Sequence, residues 1–492
     1  MKKHYLLIVF LLILLSACNE PEQQNLRFGL SVAPVNLDPR FATDAISMRI
    51  NRLLYRALVD FDENLRPTPD LASWEQLNAT QYRFHLGDNG RQFHDGTYLT
   101  AKDVKATYDF ILNKENASPH RGSLASITQI QVQDDNTIDF VLEKPDTLFP
   151  GRLMVGIVPA TLIEQEHPFN KQPLGSGSYE LVNWQETSHL YLKRRNDGQV
   201  IEFLEVKDPT VRVLKLVRGE VDMVQNDLSP ELVTWLTKRD EVKVIKGQGT
   251  NFTYLGFNLE DDMTEQFIVR EAIAYALNRQ EIIRYVLGNA ARPASSFLLP
   301  ATHWAGHPGL PSYSYNPEKA RALLAQAGFS KEKPLKLSYK TSNNPNRIRI
   351  ATVIQQQLAT VGIDMDLRTY DWGTFYGDIK AGRFQLYSLS WVGIKMPDIF
   401  RYVFHSSAIP PGGANRGRLK HAKIDGLIEQ AEQAQTFENQ ATFYRQLQEE
   451  LFSELPYVPL WYEDHVLATR QQISGYTLAP DGNYDGLKTV HF

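Results

Sequence analysis

Residues 82–112 read YRFHLGDNGRQFHDGTYLTAKDVKATYDFIL, and the spacing of their apolar residues changes partway. Tyr82, Phe84 and Leu86 alternate with Arg83 and His85, the period of two that lines one face of a strand. Asp95 and Gly96 supply a turn. Thr100 then stands three residues before Asp103, so that hydroxyl and carboxylate can each satisfy an amide left over at a helix start. Val104, Tyr108, Ile111 and Leu112 follow at helical spacing and give that helix one apolar stripe. A one-faced strand joined to a one-faced helix must be covered by further layers, which predicts a mixed α/β protein.

The same alternation continues on both sides. NLRFGLSVAP, from Asn25, predicts a first strand stopped at Pro34 and followed by the polar turn VNLDPR. SMRINRLLYRALVDFD predicts a helix with Ile50, Leu53, Leu54, Ala57 and Leu58 on one face. Downstream, the glycine-rich turn of QPLGSGSYELVNW feeds a strand from Tyr179 to Trp184, and LEVKDPTVRVLKLVRGEVDMV reads as strand, helix, tight turn at Gly219, strand. A helix is predicted from Thr264 to Leu277, with Ile268, Ala272, Ile273 and Ala276 on one face. Another is predicted in YNPEKARALLAQAGF, with Asn316 as cap, Pro317 in the first turn and Gly328 past the end. PLKLSYKTS and FQLYSLSWVG predict strands on either side of a helix from Ile348 to Leu358. Near the end, ENQATFYRQLQEELFSELPYVPLWY predicts a helix running into a proline-punctuated strand. There is no internal repeat.

At the N-terminus, Lys2 and Lys3 precede an apolar run from Leu6 to Leu15 and the small residues Ser16 and Ala17, the layout of a secretory signal. The run is well short of the roughly 20 residues that span a bilayer. Cys18, the single cysteine, closes a Leu-Ser-Ala-Cys tetrad that resembles the lipobox of bacterial lipoproteins, which makes it a lipid tether rather than a redox centre. With no second thiol there is no disulfide. About 475 residues remain after position 17, enough for about two to four domains with ample cores. Without Lys2 and Lys3, 50 basic residues stand against 57 acidic ones, so no basic excess points to nucleic acid. A mean hydropathy of -0.34 is that of a soluble globular chain. Its 24 Phe, 22 Tyr and 7 Trp are enough to line a ligand cavity as well as cores.

Patterns for catalysis are missing. GSGSYE has its serines in the wrong register for a nucleophile elbow, and neither a phosphate-binding glycine loop nor H-E-x-x-H occurs. His303 and His307 are four apart, but the prolines around them and Gly306 argue against a helix that would aim both rings at one ion. His94 and Asp95 read as turn residues. No catalytic residue, metal or cofactor is predicted. An exported, tethered, aromatic-rich chain without a reacting group points to binding rather than turnover, and a lipid-anchored hydrolase is the competing reading of another class.

Several stretches, in order, resemble the peptide- and nickel-type extracellular solute-binding proteins of ABC importers, which include the oligopeptide- and dipeptide-binding proteins. They are LYRALVDFDENLRPTPDLASWE (54–75), the stretch 82–112 with its FHDG and LTAKDV, PLGSGSYELVNW (173–184) and RVLKLVRGEVDMV (212–224). LGFNLE (255–260), VREAIAYALNRQEII (269–283), YNPEKARALLAQAGF (315–329) and ELPYVPLWYE (454–463) extend the resemblance over nearly the whole chain. The resemblance implies a bilobal, periplasmic-binding-protein-like type II clamp of three domains, with mixed sheets flanked by helices. Domain I would comprise residues 26–45, 172–256 and 471–492, domain II residues 46–171 and domain III residues 257–470, with two chain crossings between domains I and III as the hinge. It also implies a monomer held by lipid on the periplasmic or cell-surface side of a bacterial membrane, which carries a peptide-like solute to an ABC permease and its ATPase.

The resemblance further implies that an extended ligand pairs with two main-chain segments. Here these are the turn after the first strand, with Ser31, Val32, Ala33 and Pro34, and the strand end with Ser388, Leu389, Ser390, Trp391, Val392 and Gly393. Where peptide-binding members carry W-x-G-D-x-x-D-P, this chain reads WVGIKMPDIF. Ile394 replaces the acid that pairs with a ligand's α-amino group, and Asp398 substitutes only with a rebuilt loop. Arg401, Asn415 and Arg416, with Arg418 and Lys420 around a Pro-Gly loop, are the expected partners of a ligand carboxylate or other anion. A metal chelate or an anionic peptide derivative is the alternative ligand within the family.

Overall fold

The computed structural model describes residues 24–62, 64–185 and 188–492, so Cys18 and the apolar run before it lie outside the described residues. The predicted alternation of strands and helices organises around one eleven-stranded mixed sheet. Its path runs Ile363–Tyr370, Leu335–Ser342, Leu386–Trp391, Val242–Phe257, Tyr457–Arg470, Met223–Gln225, Leu26–Leu30, Val200–Glu205, His189–Arg194, Tyr179–Gln185, and Ala291–Pro293 pairs beside Tyr457–Arg470. A separate antiparallel sheet takes Ala72–Asn78, Gln81–Leu86, Thr137–Leu142 and Ile127–Val132 in that order. Strand Gln81–Leu86 buries Tyr82, Phe84 and Leu86, as its period predicts. Helix Ala101–Leu112 covers this sheet, and it begins with the expected reciprocal cap: Thr100 N donates to the Asp103 carboxylate at 2.7 Å while Thr100 Oγ1 accepts from Lys102 N.

Two predicted helices are shorter than their apolar patterns. The helix starting at Ala45 ends at Leu54, and Tyr55 N closes its last turn onto Asn51 O at 2.8 Å. Leu58 is buried all the same, as part of the extended stretch that follows. Helix Phe267–Ala276 starts three residues later than expected, because the Asp261 carboxylate accepts from Met263 N and Thr264 N and holds that stretch in a turn. Gly219 and Gly328, at φ of 73° and 87°, take the left-handed conformation that ends the helices before them.

Val242–Phe257 and Tyr457–Arg470 are 16 and 14 residues long and run antiparallel from one core to another. At one end Val242 and Ala468 pack with Val213, Leu216 and Val224. At the other, Leu255, Phe257, Val458 and Trp461 join a core with helix Phe267–Ala276 and strand Leu335–Ser342. Between the two ends, the register slips between Gly247 and Asn251. Helix Ala45–Leu54 puts Ile50, Leu53 and Leu54 into the core of Phe28, Tyr179 and Phe203, while the four-stranded sheet has a core of its own around Phe84, Tyr108 and Phe140.

Candidate functional site

A cavity of about 1340 Å³ opens between these cores. One wall is the polar side of helix Ala45–Leu54 and the stretch after it, with Met48, Arg49, Arg52, Arg56, Asp60 and Phe61. The face that carries Ile50, Leu53 and Leu54 is committed to the core, so residues 48, 49 and 52 are left to look outward. Gly151, Arg152 and Met154 continue this wall, and loops 176–178 and 194–196 form its floor. Opposite lies the segment from Trp391 to Ile399, and Asp481, Asn483 and Lys488 add to the lining.

Neutral histidines fix two of these loops. His94 Nδ1 accepts from Gly175 N and its Nε2 faces Gly177 O, both at 3.3 Å. Burial lowers its pKa to about 4, so the ring is neutral with the proton on Nε2. Gly177 N in turn donates to Leu54 O at 2.9 Å and satisfies a carbonyl of the last helical turn. A Cβ at Gly177 would stand 2.2 Å from Leu53 O, which explains the glycines of GSGSYE by close approach of two backbones. Across the cavity, His303 Nδ1 accepts from Ala305 N and Nε2 donates to Lys395 O, both at 3.0 Å. Burial lowers this pKa to about 4 as well.

Ion pairs stitch the opposing segments together. Arg152 donates to Asp146 and to Asp398, each at 2.7 Å, and Lys395 Nζ lies 2.7 Å from the Asp481 carboxylate and over the Phe61 ring. Arg52 joins Asp60 and Asp485, and Arg56 holds Asp70. Burial opposes the charge on Arg152, but Asp146 and Asp398 outweigh it and raise its pKa. Replacing it, Arg152→Leu, leaves two partly buried carboxylates facing an apolar chain. We expect a loss of about 1–3 kcal/mol at pH 7 that is recovered in part in the double variant Arg152→Leu/Asp398→Leu, in which only Asp146 is left without its partner, read as urea midpoints.

Of the residues expected at the site, Trp391, Val392, Gly393 and Asp398 line this cavity. Most of the others are engaged elsewhere. Ser31 Oγ donates to Asp227 and Ala33 N to Glu205, while the amides of Val35 and Asn36 donate to Ser47 Oγ. Val32 is exposed, and Pro34 borders a small separate niche with Ala33. Ser388 and Leu389 lie inside the strand Leu386–Trp391, and the Ser390 hydroxyl is shared among Thr253, Arg347 and Glu463. Arg401 makes a bidentate pair with Glu432 at 2.6 and 2.7 Å, so its guanidinium is not turned to a ligand. Asn415, 1% exposed, donates to three carbonyls, including Leu419 O, and accepts from Leu419 N; it shapes the Pro-Gly loop. Arg418 and Lys420 pair with Glu260.

Arg416 is buried and pairs with no carboxylate of the described residues. It donates to the hydroxyls of Tyr254 and Tyr376 and lies 4.7 Å over the Trp391 ring, so it backs the cavity wall rather than lining it. Ile394 is a core residue, packed in the cluster of Phe400, Trp304 and Tyr444. The polar lining that sequence reasoning missed, Arg49, Arg52, Arg56, Arg152 and Lys395, has no local signature, since partners such as Arg52 and Asp485 are 433 positions apart.

His421, Glu450 and Glu454 bring ligand atoms within 4.8 Å of one another. His421 Nδ1, however, accepts from Ile424 N as a helix cap, which leaves the proton on Nε2, the nitrogen turned toward both glutamates. A metal on Nε2 would force that proton onto Nδ1, against the Ile424 N–H, so the group is a capping and ion-pair cluster. Among the described residues no helix is long and apolar enough to cross a membrane.

A sequence profile of the bacterial extracellular solute-binding proteins, family 5 Middle, matches residues 66–409. The dipeptide-binding protein of Escherichia coli K12 is 26% identical over 92% of each chain. Among solved structures, the ABC transporter substrate-binding protein CtaP of Listeria monocytogenes superposes with a TM-score of 0.85 at 25% identity, covering 95% of this chain and 99% of that one. The ABC transporter-associated periplasmic binding protein DppA of Helicobacter pylori, in complex with the peptide STSA, gives a TM-score of 0.76 at 25% identity, covering 95% and 98%.

Proposed function

The chain belongs to family 5 of the bacterial extracellular solute-binding proteins, and from that premise we propose that it captures a peptide-like solute in the cavity and hands it to an ABC permease and its ATPase. The carrying observation is the cavity itself. At about 1340 Å³ it exceeds the 300–1,000 Å³ of sites for drug-sized ligands and is large enough for several residues of an extended chain. The peptide named for the E. coli relative and held by the H. pylori structure supports the ligand class. Trp391, Val392, Gly393 and Asp398 are the proposed contacts on one side and Arg49 and Met48 on the other, with Arg416 supporting Trp391 from behind.

Distinct cores around Phe28, around Phe84 and around Leu255 support a division into three bodies, with helix Ala45–Leu54, Val158 and Phe169 packed into the first and Leu255 into the third. The two long strands are then the crossings, and relative motion of the bodies opens and closes the cavity. The protein binds without turnover, acts as a monomer, and is held at the outer side of a bacterial membrane through acylated Cys18. Small-angle scattering is expected to show a smaller radius of gyration with a bound peptide than without one. An unchanged profile across a peptide library, with no heat of binding, is the result that overturns the reading.

A further inference from the structure

Charge on the cavity wall is unevenly matched. Among the described residues it carries four carboxylates, Asp60, Asp70, Asp398 and Asp481, and each is already bound by a cation of the protein itself: Arg52, Arg56, Arg152 and Lys395 in turn. Burial pushes the Asp60 and Asp481 carboxyls up, but Arg52 and Lys395 outweigh it and hold both below the usual range. Two wall cations, Arg49 and Arg195, make no ion pair with any described residue. The Arg49 guanidinium rests 5.5 Å over the Tyr484 ring, and Arg195 donates to the carbonyl of Gln92.

A ligand ammonium entering this space meets no unpaired carboxylate of the described residues. To gain one it must displace a protein cation, which is then left beside the cavity without its counter-charge. A ligand carboxylate meets the opposite situation, because a planar guanidinium offers it two parallel hydrogen bonds and no existing pair is broken. The cavity lining also has exposed apolar side chains: Met48, Met154 and Val392 are 48%, 37% and 60% accessible. Flexible thioethers adapt to apolar groups of varied shape.

We propose that the solute this cavity takes is a carboxylate with no free amino group, namely an N-acylated amino acid or N-acylated short peptide, with its carboxylate on Arg49 and its apolar groups against Met48, Met154 and Val392. This deepens, and rests on, the reading of the chain as a binder of peptide-like solutes. Calorimetric titration of the protein at pH 7 with trileucine, N-acetyl-trileucine and N-acetyl-trileucine amide tests it. N-acetyl-trileucine is expected to bind at least tenfold more tightly than either of the other two. Arg49→Gln, checked for an unchanged melting profile, is expected to remove about tenfold of that affinity, and Arg49→Lys to remove less. Trileucine binding as tightly as its acetylated form overturns the inference and leaves the peptide reading standing, whereas no binding by any of the three overturns both. Undiminished affinity in a folded Arg49→Gln variant overturns the assignment to Arg49.

Discussion

Between pH 7 and pH 4.5 the protein is expected to lose several kcal/mol of stability, and the loss starts well before its carboxylates titrate. His94 and His303 are held neutral in the fold, with pKa values near 4 against an ordinary 6.5, because burial disfavours the charged ring. On unfolding below pH 6.5 each ring takes up a proton, so the unfolded chain binds more protons than the folded one and stability rises with pH. The contribution is complete above about pH 6.5 and is lost as pH falls toward 4, at about 3 kcal/mol for each ring by the linkage of pKa to free energy. Burial shifts His120 and His465 in the same direction. Urea midpoints across this range, with potentiometric proton uptake on unfolding, provide the measurement. A flat midpoint between pH 7 and 5 contradicts the assignment. His303→Gln is expected to flatten the slope, since an amide can keep a donor toward Lys395 O and does not titrate.

Gly177→Ala is expected to destabilise by about 3 kcal/mol and to abolish ligand binding. The added Cβ would stand 2.2 Å from Leu53 O and 2.6 Å from Leu54 O, both backbone atoms at the end of a helix whose other face is core. Relief requires loop 175–178 to lift. That breaks the hydrogen bond from Gly177 N to Leu54 O, pulls Gly177 O away from His94, and moves the floor of the cavity. Gly122→Ala, where nothing lies within 4 Å of the new atom, is the control and is expected to stay within about 0.5 kcal/mol of the parent. A melting temperature for Gly177→Ala equal to that of the control contradicts the account.

Elements with local causes were legible in the sequence. The Thr100–Asp103 cap, the Asn316–Pro317 helix start and the turn at Gly219 form where residue type and spacing predict, because their hydrogen bonds close within a few positions. The helix predicted as far as Leu58 shows the limit. Its apolar spacing continues beyond Leu54, yet loop 175–178 occupies the position of a further turn, and nothing in residues 47–62 encodes a contact more than a hundred positions away. The same distance hid the site. His94 and His303 read as loop residues, and their partners are 81 and 92 positions downstream. Arg401 and Asn415 have the right chemistry for an anion, but Glu432 and the carbonyls of their own loop already occupy them. Side-chain type tells what a group can bind, while the packing decides which partner reaches it.

Strands Val242–Phe257 and Tyr457–Arg470 stay paired with each other from one core to the next, apart from register shifts between Gly247 and Asn251 and between Thr253 and Tyr254. A paired ribbon resists stretching but yields to torsion. On the reading proposed above, in which these strands are the crossings between bodies, the halves are tied by a paired ribbon rather than a slack tether, and their relative motion is rotation about it. On that reading a solute closes the cavity only by as much as it binds the closed shape more tightly than the open one.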